Sequence, residues 1–424
     1  MSLPDHRLLV VETELVSTFK VASRDGNTLS PVIRQAWDSG TLQTMTRNNP
    51  LTATGAHISL IGHITAEELR RHLTSTEMAN GFANRFLWLS VRRSKLLPDG
   101  GNLDPLALTP LVRRVRDALS FARRTGRLDR DPDARTLWHD VYADLSEGEP
   151  GLVGSLLARA EAQVTRLSML YALLDHSDVV REPHLRAALE LWGYADRSVR
   201  HLFGSATGNP DADLIQRHAV EHGNGGITRT QISSLFSRNA SADRIDRAIQ
   251  QLVTHGTATL ERENTGGRPS ERLFSLNSFF SYSNDWPSPP SANAYHGLLG
   301  EIVRTVEPHT EADPVALLSQ LLVAFGNAIG RTPYVQVEAD RHHTNLFAVL
   351  VGDTAKARKG TSWGHARKVV TEADPDWESR VMGGLSSGEG LIAQVADYEI
   401  NEKDEISPPQ QAGLTLPSFN SFNS

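Results

Sequence analysis

The sequence contains no cysteine. This absence excludes disulfide bridges, thiolate ligands for zinc and a cysteine nucleophile. The sequence also lacks any uninterrupted apolar run near the roughly 20 residues that a membrane-spanning helix requires. Its first residues, MSLPDHRLLVVETE, do not follow the basic-then-apolar order of a secretory signal. We therefore expect a cytoplasmic chain that has no contact with a membrane.

An excess of positive charge is missing as well. Lysine and arginine together number 43, aspartate and glutamate number 50, and the net charge is −7. A strongly basic surface is the usual sign of a protein that binds polyanions over its whole surface. Any contact with nucleic acid should therefore be confined to a local patch. The chain has 424 residues, which is enough for two or three domains.

Hydrophobic spacing divides the chain into regions of different character. Short apolar runs that alternate with amphipathic stretches predict an α/β core, three- and four-residue spacing predicts helices, and closely spaced prolines predict a linker. We assign residues 1–104 and 295–400 to two halves of an α/β core, 105–205 to a helical subdomain, 206–280 to a compact helix-and-hairpin unit, 281–294 to a linker and 401–424 to a disordered tail.

The segment GDTAKARKGTSW, at 352–363, follows the apolar run NLFAVLV. A strand that ends in a glycine-bearing loop and then opens a helix directs backbone N–H groups and a helix N-terminus at phosphate oxygens. Gly352 is the candidate turn glycine, and Lys359 is the candidate ligand of the β- and γ-phosphates of ATP. Thr361 or Ser362 would supply the hydroxyl for Mg²⁺.

This segment departs from the usual phosphate-loop pattern in two ways. The spacing from Gly352 to Lys359 is one residue longer than in G-x-x-x-x-G-K-[ST], and Arg358 stands where the last glycine is expected. We count Arg358 and Gly360 among the candidate nucleotide-binding residues. The alternative is a basic surface turn between a buried strand and a helix.

Two carboxylates near the other end of the chain complement this loop. RLLVVETE, at 7–14, is an apolar strand that ends in Glu12 and Glu14. An acid in this place can assist Mg²⁺ or polarise the attacking water beside bound phosphates. Glu12 is the stronger candidate because it directly follows the apolar run. An ordinary exposed strand end is the alternative.

Further polar residues follow in the order that an oligomeric ATPase uses. AHISLIGHIT contains His63 and Thr65, which are candidate nucleotide sensors, and T-A-E-E is a capping box that opens a helix. Arg85 precedes the apolar run FLWLSV, from which it could reach phosphates bound by a neighbouring subunit. Arg166 is a candidate second phosphate sensor on a helix. For these arginines, a salt bridge or a solvated helix face is the alternative.

Together these segments resemble the YfjI-like domain of unknown function. The resemblance covers residues 295–397 and 6–205. It is carried by GDTAKARKGTSW, GGLSSGEGLI, RLLVVETE, GNTLSPVIRQAWDSG, ATGAHISLIGHIT, NGFANRFLW and RAEAQVTRL. That family is a P-loop ATPase domain found in replication proteins of plasmids, prophages and integrative elements, often beside a primase–polymerase domain.

The resemblance implies a RecA/AAA-like α/β P-loop NTPase core that uses ATP and Mg²⁺, with Thr361 and Glu12 at the metal. It also implies DNA as a partner, self-association into a homo-oligomer such as a hexamer, and a primase–polymerase as a further partner. In the family the phosphate loop precedes the acidic strand, whereas here the order is reversed, as in a circular permutation. A natural permutation and a reading frame opened at an arbitrary point on a small circular DNA both remain open.

Residues 206–280 predict a winged helix. The three helices are DADLIQRHAVEHG, ITRTQISSLFSRN and SADRIDRAIQQLVTHG, and TATLERENTGGRPSERLFSL is the wing hairpin. Arg244 and Arg247 would enter the major groove of DNA, and Arg268 at the wing tip would touch phosphate or the minor groove. Arg47, in an earlier predicted hairpin, is a fourth DNA-binding candidate. Residues 201–280 contain eight arginines and eight acidic residues, so a protein–protein winged helix remains the alternative.

The leading hypothesis is an ATP-hydrolysing DNA replication protein of a mobile genetic element, with a helicase-like motor and a winged-helix DNA-binding module. A second hypothesis is a non-enzymatic DNA-binding initiator or adaptor whose nucleotide fold is degenerate, as Arg358 suggests. A third is an assembly module that uses the winged helix for protein contacts.

Overall fold

A computed structural model describes residues 5–24, 26–44, 50–73, 77, 80–149, 151–204, 209–237, 239–254, 257–263, 270–276, 286–352, 357–397, 399–400 and 406–407. The first half of the chain contains β1 (Arg7–Glu12), α1 (Leu15–Ala22), α2 (Leu29–Asp38), β2 (Leu42–Gln43), β3 (Thr52–Ala53), β4 (His57–Thr65), α3 (Ala66–His72), β5 (Phe86–Ser90), α4 (Pro105–Ala122), β6 (Asp129–Arg130), α5 (Pro132–Ser146), α6 (Gly151–Leu157), α7 (Ala160–Leu174), β7 (Val179–Val180) and α8 (Glu182–Phe203).

The second half contains α9 (Pro210–Glu221), β8 (Ile227–Thr228), α10 (Arg229–Leu235), α11 (Ala242–Thr254), β9 (Ala258–Glu263), β10 (Ser270–Ser275), α12 (Gly297–Val306), α13 (Pro314–Ile329), β11 (Tyr334–Val337), β12 (Asp340–His343), β13 (Phe347–Gly352), α14 (Lys359–Ala373), β14 (Val381–Met382), α15 (Gly388–Ala393), β15 (Glu399–Ile400) and β16 (Ile406–Ser407).

The central sheet has five parallel strands in the order β14, β1, β4, β13, β5. The strands β4 and β13 are almost entirely buried. Such strands are near-continuous apolar runs because helices cover both faces of a parallel sheet. The predicted α/β core is confirmed, and its central sheet is parallel.

Two hydrophobic clusters cover the two faces of this sheet. Leu9, Ile61 and Leu350 belong to the larger cluster, which includes side chains of α4, α7, α8, α12, α13 and α14. Leu8 and Leu60 belong to the second cluster, which includes side chains of α1, α2, α3 and α15. Successive strand residues face opposite sides of a sheet, so sequence parity alone assigns each polar residue of β1 and β4 to one of these faces.

Strands from both ends of the chain meet in the sheet. β1, β4 and β5 come from the first 90 residues, whereas β13 and β14 come from residues 347–382. β13 lies between β4 and β5, with Gly352 opposite Thr65 and Phe347 opposite Phe86. All carboxyl ends therefore lie on one edge of the sheet, as parallel pairing requires.

Residues 209–276 form a smaller unit with its own core. Helices α9, α10 and α11 pack against an antiparallel sheet in the order β8, β10, β9. Its buried residues include Ile215, Ile227, Ile249 and Leu273.

Several expectations fall partly or wholly outside the described residues. Arg47 and Arg268 belong to this group, and of the predicted tail only β16 is described, paired with β15. Within the part of the chain that the structure describes, every helix is too short or too polar to cross a bilayer.

Candidate functional site

Gly352 ends β13 at the carboxyl edge of the sheet, beside Thr65 of β4. Residues 353–356 lie outside the described residues, and the chain then leads through Ala357 and Arg358 into α14. A Cβ atom at Gly352 would lie 2.5 Å from Ala357 Cβ and 3.0 Å from Lys359 Nζ. Only glycine fits here without displacing these atoms, because the Lys359 side chain folds back over the end of β13.

Lys359 is the first residue of α14, and only 8% of its surface is exposed. Its positive charge lowers the pKa of one group on the neighbouring strand and of one group on the neighbouring helix. Burial, and then Lys359, lower the pKa of His63 to about 3. The Thr65 hydroxyl, and more weakly Lys359, lower the pKa of Glu68. The structure therefore brings together Lys359, His63 and Thr65, which lie almost 300 residues apart in sequence.

His63 is neutral and held in place by a helix on the larger-cluster face. Its Nε2 lies 2.9 Å from Nε2 of Gln320 in α13, and both residues are buried. With the Gln320 amide as donor, His63 Nε2 is the acceptor. Among the described residues, the buried Gln320 Oε1 atom has no hydrogen-bond partner. Sequence reasoning missed Gln320, although a glutamine inside the apolar run PVALLSQLLVAFG was an available signal.

The two candidate hydroxyls of α14 differ in their surroundings. Ser362 is fully buried, and its Oγ donates to the Lys359 carbonyl at 2.8 Å. Thr361 is exposed. Thr361 is therefore the hydroxyl that a ligand at the helix N-terminus would meet. The Thr65 hydroxyl is already engaged in the capping box of α3 with Glu68.

Arg358 adopts a left-handed backbone conformation, with φ 55° and ψ 28°. Glycine takes this conformation without steric cost, whereas other L-residues rarely do. The arginine thus occupies a position that suits the glycine expected from the phosphate-loop pattern. Its Nε lies 2.6 Å from Glu311 Oε2.

Glu12 ends β1, two strands away from β13. It lies opposite Gly62, three residues before Thr65, which places its Cα roughly 14 Å from that of Gly352. Its Oε1 accepts hydrogen bonds from the backbone N–H groups of Gly384 and Leu385, both at 2.7 Å. Burial raises the pKa of Glu12 in spite of these two bonds.

Glu12 and His63 face opposite sides of the sheet. Glu12 shares the parity of Leu8 and Val10, whereas His63 shares that of Ile61. The second candidate acid, Glu14, is exposed and precedes α1. Among the expected acids, Glu12 is thus the buried one at the carboxyl edge.

The segment at 352–363 is called the phosphate-loop segment below. The structure does not bring Arg85 and Arg166 to this segment of the same chain. Arg85 precedes β5, whose first residue pairs with Phe347, so it lies at the amino edge, roughly 20 Å along the strand from Gly352. Its buried guanidinium binds Asp38 and the Gly81 carbonyl. A role in trans would require this arginine to leave Asp38.

Arg166 is buried at the same amino edge. It donates to the Asn345 carbonyl at 2.7 Å and to the Trp37 carbonyl at 2.8 Å, and its guanidinium stacks 3.6 Å from the centre of the Trp37 ring. These contacts are not those that we expected of Arg166 as a phosphate sensor. The physical reason is that Asn345 precedes β13, whereas the phosphate-loop segment follows it. In this structure Arg166 ties α7 to α2 and to the start of β13.

The two described DNA-binding candidates of the smaller unit, Arg244 and Arg247, contact groups within that unit. Arg244 makes two hydrogen bonds of 2.6 Å to the carboxylate of Asp211 in α9. Arg247 donates to the carbonyl of Asp243 at 3.2 Å and is exposed on α11. Binding of Arg244 to DNA would therefore require an exchange of partners.

A separate group consists of Asp175, His184 and His296, whose ligand atoms lie within 4.8 Å of one another. His184 Nδ1 accepts the N–H of Arg181 at 3.0 Å. The proton of neutral His184 is then on Nε2, which faces Asp175 Oδ2 at 3.3 Å. A protonated Nε2 is a donor and not a metal ligand. Hydrogen bonding to Asp175, and not a metal ion, therefore explains why these three side chains lie together.

No family model, curated protein or solved structure matches this chain.

Proposed function

We propose that this chain is an ATP-hydrolysing protein of the P-loop class that acts on DNA during replication of a mobile genetic element. The observation that carries the proposal is the position of Lys359. It lies at the N-terminus of a 15-residue helix, folded over the glycine that ends the neighbouring strand, beside His63 and Thr65. A helix N-terminus with a lysine and an exposed hydroxyl is suited to bind phosphate groups.

Each residue of the proposed site has a chemical role. Lys359 binds phosphate oxygens, and Thr361 offers its hydroxyl to Mg²⁺, which neutralises phosphate charge when bound. Glu12 faces the other side of the sheet, roughly 14 Å from Gly352, so it would orient the attacking water and accept its proton beyond the carboxyl edge of the sheet. Burial raises the pKa of Glu12, which makes its carboxylate a stronger base. Its Oε2 takes part in neither of the bonds to Gly384 and Leu385 and can face that water.

The smaller unit supports a role on DNA. Its order of helix, strand, helix, helix and hairpin, with the first strand beside the last, supports the winged helix that we propose for this unit. Arg247 is exposed on α11, and Arg244 is exposed while bound to Asp211. The equal numbers of basic and acidic residues in this region predict weak, salt-sensitive binding unless Asp211 releases Arg244.

Self-association remains part of the proposal because of Arg85. It lies at the edge of the sheet opposite Lys359, so it would meet only the nucleotide of a neighbouring copy, and only after it left Asp38. The resemblance described above adds a homo-oligomer, such as a hexamer, and a primase–polymerase as partners.

Hydrolysis of ATP by the purified chain, with and without single-stranded DNA, tests this proposal. We expect Lys359→Ala to reduce hydrolysis at least tenfold, and Lys359→Met, which keeps the apolar stem, to do the same. Lys368→Ala is the matched control, because Lys368 lies exposed on the same helix and pairs weakly with Glu372. Hydrolysis that survives both substitutions of Lys359 would contradict the proposal.

A second candidate function is a non-enzymatic DNA-binding initiator or adaptor. One observation that favours it is Arg358, which stands where the phosphate-loop pattern has a glycine. The other is that two backbone N–H groups already donate hydrogen bonds to Glu12 Oε1. Specific DNA binding by the full chain, with no measurable ATP binding, would support this function over the first.

A further inference from the structure

Glu311 lies beside the phosphate-loop segment and holds two arginines. Its Oε2 accepts a hydrogen bond from Arg93 and pairs with Arg358 Nε at 2.6 Å, and its Oε1 accepts the N–H of Leu97 at 2.9 Å. Asp313, which caps α13, follows two residues later. The Glu311 carboxylate therefore joins the phosphate-loop segment, the segment after β5 and the start of α13.

The ion pair of Glu311 with Arg358 joins a largely buried side chain to a more exposed one. The Arg358 side chain is 45% exposed, whereas that of Glu311 is 11% exposed. If Arg358 left, Glu311 would keep Arg93 and the Leu97 N–H, so its carboxylate would still be paired. The Leu97 N–H, Arg93 and Arg358 also hold the pKa of Glu311 well below its usual range. At neutral pH the carboxylate is charged and competes with any other anion for Arg358.

Arg358 is placed to change partners. It directly precedes Lys359 at the start of α14, and its side chain is exposed there. A phosphate group offers a guanidinium two charge-assisted hydrogen bonds in parallel, whereas Glu311 offers Arg358 one carboxylate oxygen, which Arg93 shares. An incoming polyphosphate can therefore displace Glu311.

We propose that Arg358 releases Glu311 and binds the phosphates of an incoming nucleoside triphosphate, so that Glu311 lowers the affinity of the resting site. This inference rests on the proposed ATP site. It makes Arg358 a phosphate-binding residue and Glu311 a positioning residue that acts through it.

Calorimetric affinities of the full chain for ATP test the exchange. Glu311→Gln removes the competing charge, so we expect binding about three- to tenfold tighter, the size expected for one exposed charge pair. Arg93→Ala leaves Arg358 as the remaining arginine on Glu311, so we expect weaker binding. Arg358→Gln should also weaken binding, and Glu311→Gln should then give no further gain in the double variant.

Glu307→Gln is the matched control, because it removes the same charge four residues away, where Glu307 pairs with Lys95. It should leave ATP affinity unchanged if the effect of Glu311 acts through Arg358. A gain of equal size in the Glu307 variant, or a gain from Glu311→Gln that persists without Arg358, would overturn the exchange. So would weaker binding by a Glu311→Gln variant with unchanged thermal unfolding. If the unaltered chain binds no ATP, the proposed function itself fails, and the exchange with it.

Discussion

Arg358 shows how one residue can depart from a motif and keep its geometry. Its left-handed backbone costs a non-glycine residue about 1–2 kcal/mol, and the partly exposed ion pair with Glu311 offsets only part of that cost. A position that is strained and only partly compensated is more common at functional sites than elsewhere. The missing glycine at this position is therefore compatible with a working phosphate site.

Gly352 provides the residue-scale prediction, because space and not backbone angle makes glycine necessary there. In Gly352→Ala the new methyl would meet Ala357 and displace the Lys359 ammonium. We expect ATP affinity to fall at least tenfold and the free energy of unfolding to fall by about 1–3 kcal/mol, the usual cost of overpacking. Calorimetry with ATP and urea unfolding measure the two effects.

Gly364→Ala is the control for this change. Gly364 also lies in α14, but a Cβ there would meet no atom within 4 Å. Alanine is a better helix former than glycine by about 1 kcal/mol, so this variant should gain stability and bind ATP normally. Normal ATP binding by Gly352→Ala would show that Lys359 does not need the position seen here.

At the scale of elements, a polar contact joins α12 to the end of α7. His296, the residue before α12, lies with its Nε2 2.6 Å from Oδ2 of Asp175, the residue after α7. The hydrogen bond with Asp175 raises the pKa of His296. Burial opposes ionisation of Asp175, but hydrogen bonds from His184 and His296 outweigh it and lower the pKa of Asp175.

This contact should make stability depend on pH. The contribution of His296 to the free energy of unfolding is fully present below its ordinary pKa of 6.5. It is lost as pH rises through the raised pKa. The Asp175 contribution is present above its ordinary pKa of 3.8 and is lost as pH falls through the lowered value. We therefore expect His296→Gln to destabilise the protein more at pH 6 than at pH 9, by less than about 1 kcal/mol because both groups are partly exposed. Urea unfolding at the two pH values checks this, and an equal effect at both would contradict it.

Elements were easier to predict than the partners of their side chains. Runs such as RLLVVE and NLFAVLV identify buried parallel strands, because strands covered on both faces are apolar throughout. No local pattern indicates that Glu311 binds Arg358, that Gln320 meets His63, or that Asp38 holds Arg85. These pairs depend on long-range packing, and an arginine before a strand looks the same at either edge of a sheet.

At the scale of the molecule, residues 6–10 lie beside residues 381–395. Val381 and Met382 of β14 pair with Leu9 and Val10 of β1. His6 Nδ1 lies 2.9 Å from the Val395 carbonyl. The end of the core half at 295–400 therefore lies next to the start of the core half at 1–104. This is the arrangement that a circular permutation requires.

A rearranged chain tests this relation. It would begin at residue 286, continue to residue 397, and join through a short glycine–serine linker to residue 5, ending at residue 276. Because His6 contacts Val395 and its Nε2 lies 3.9 Å from Asp397 Oδ1, a few residues can bridge the new junction without moving either strand. We expect the same circular dichroism spectrum and a melting temperature within about 5 °C of the original, since closing a short loop changes stability by only about 1 kcal/mol. As a control, the same cut with the junction moved to residue 373 removes β14 and should not fold. A rearranged chain that is insoluble or molten would mean that the present order of segments is needed for folding, and not merely compatible with it.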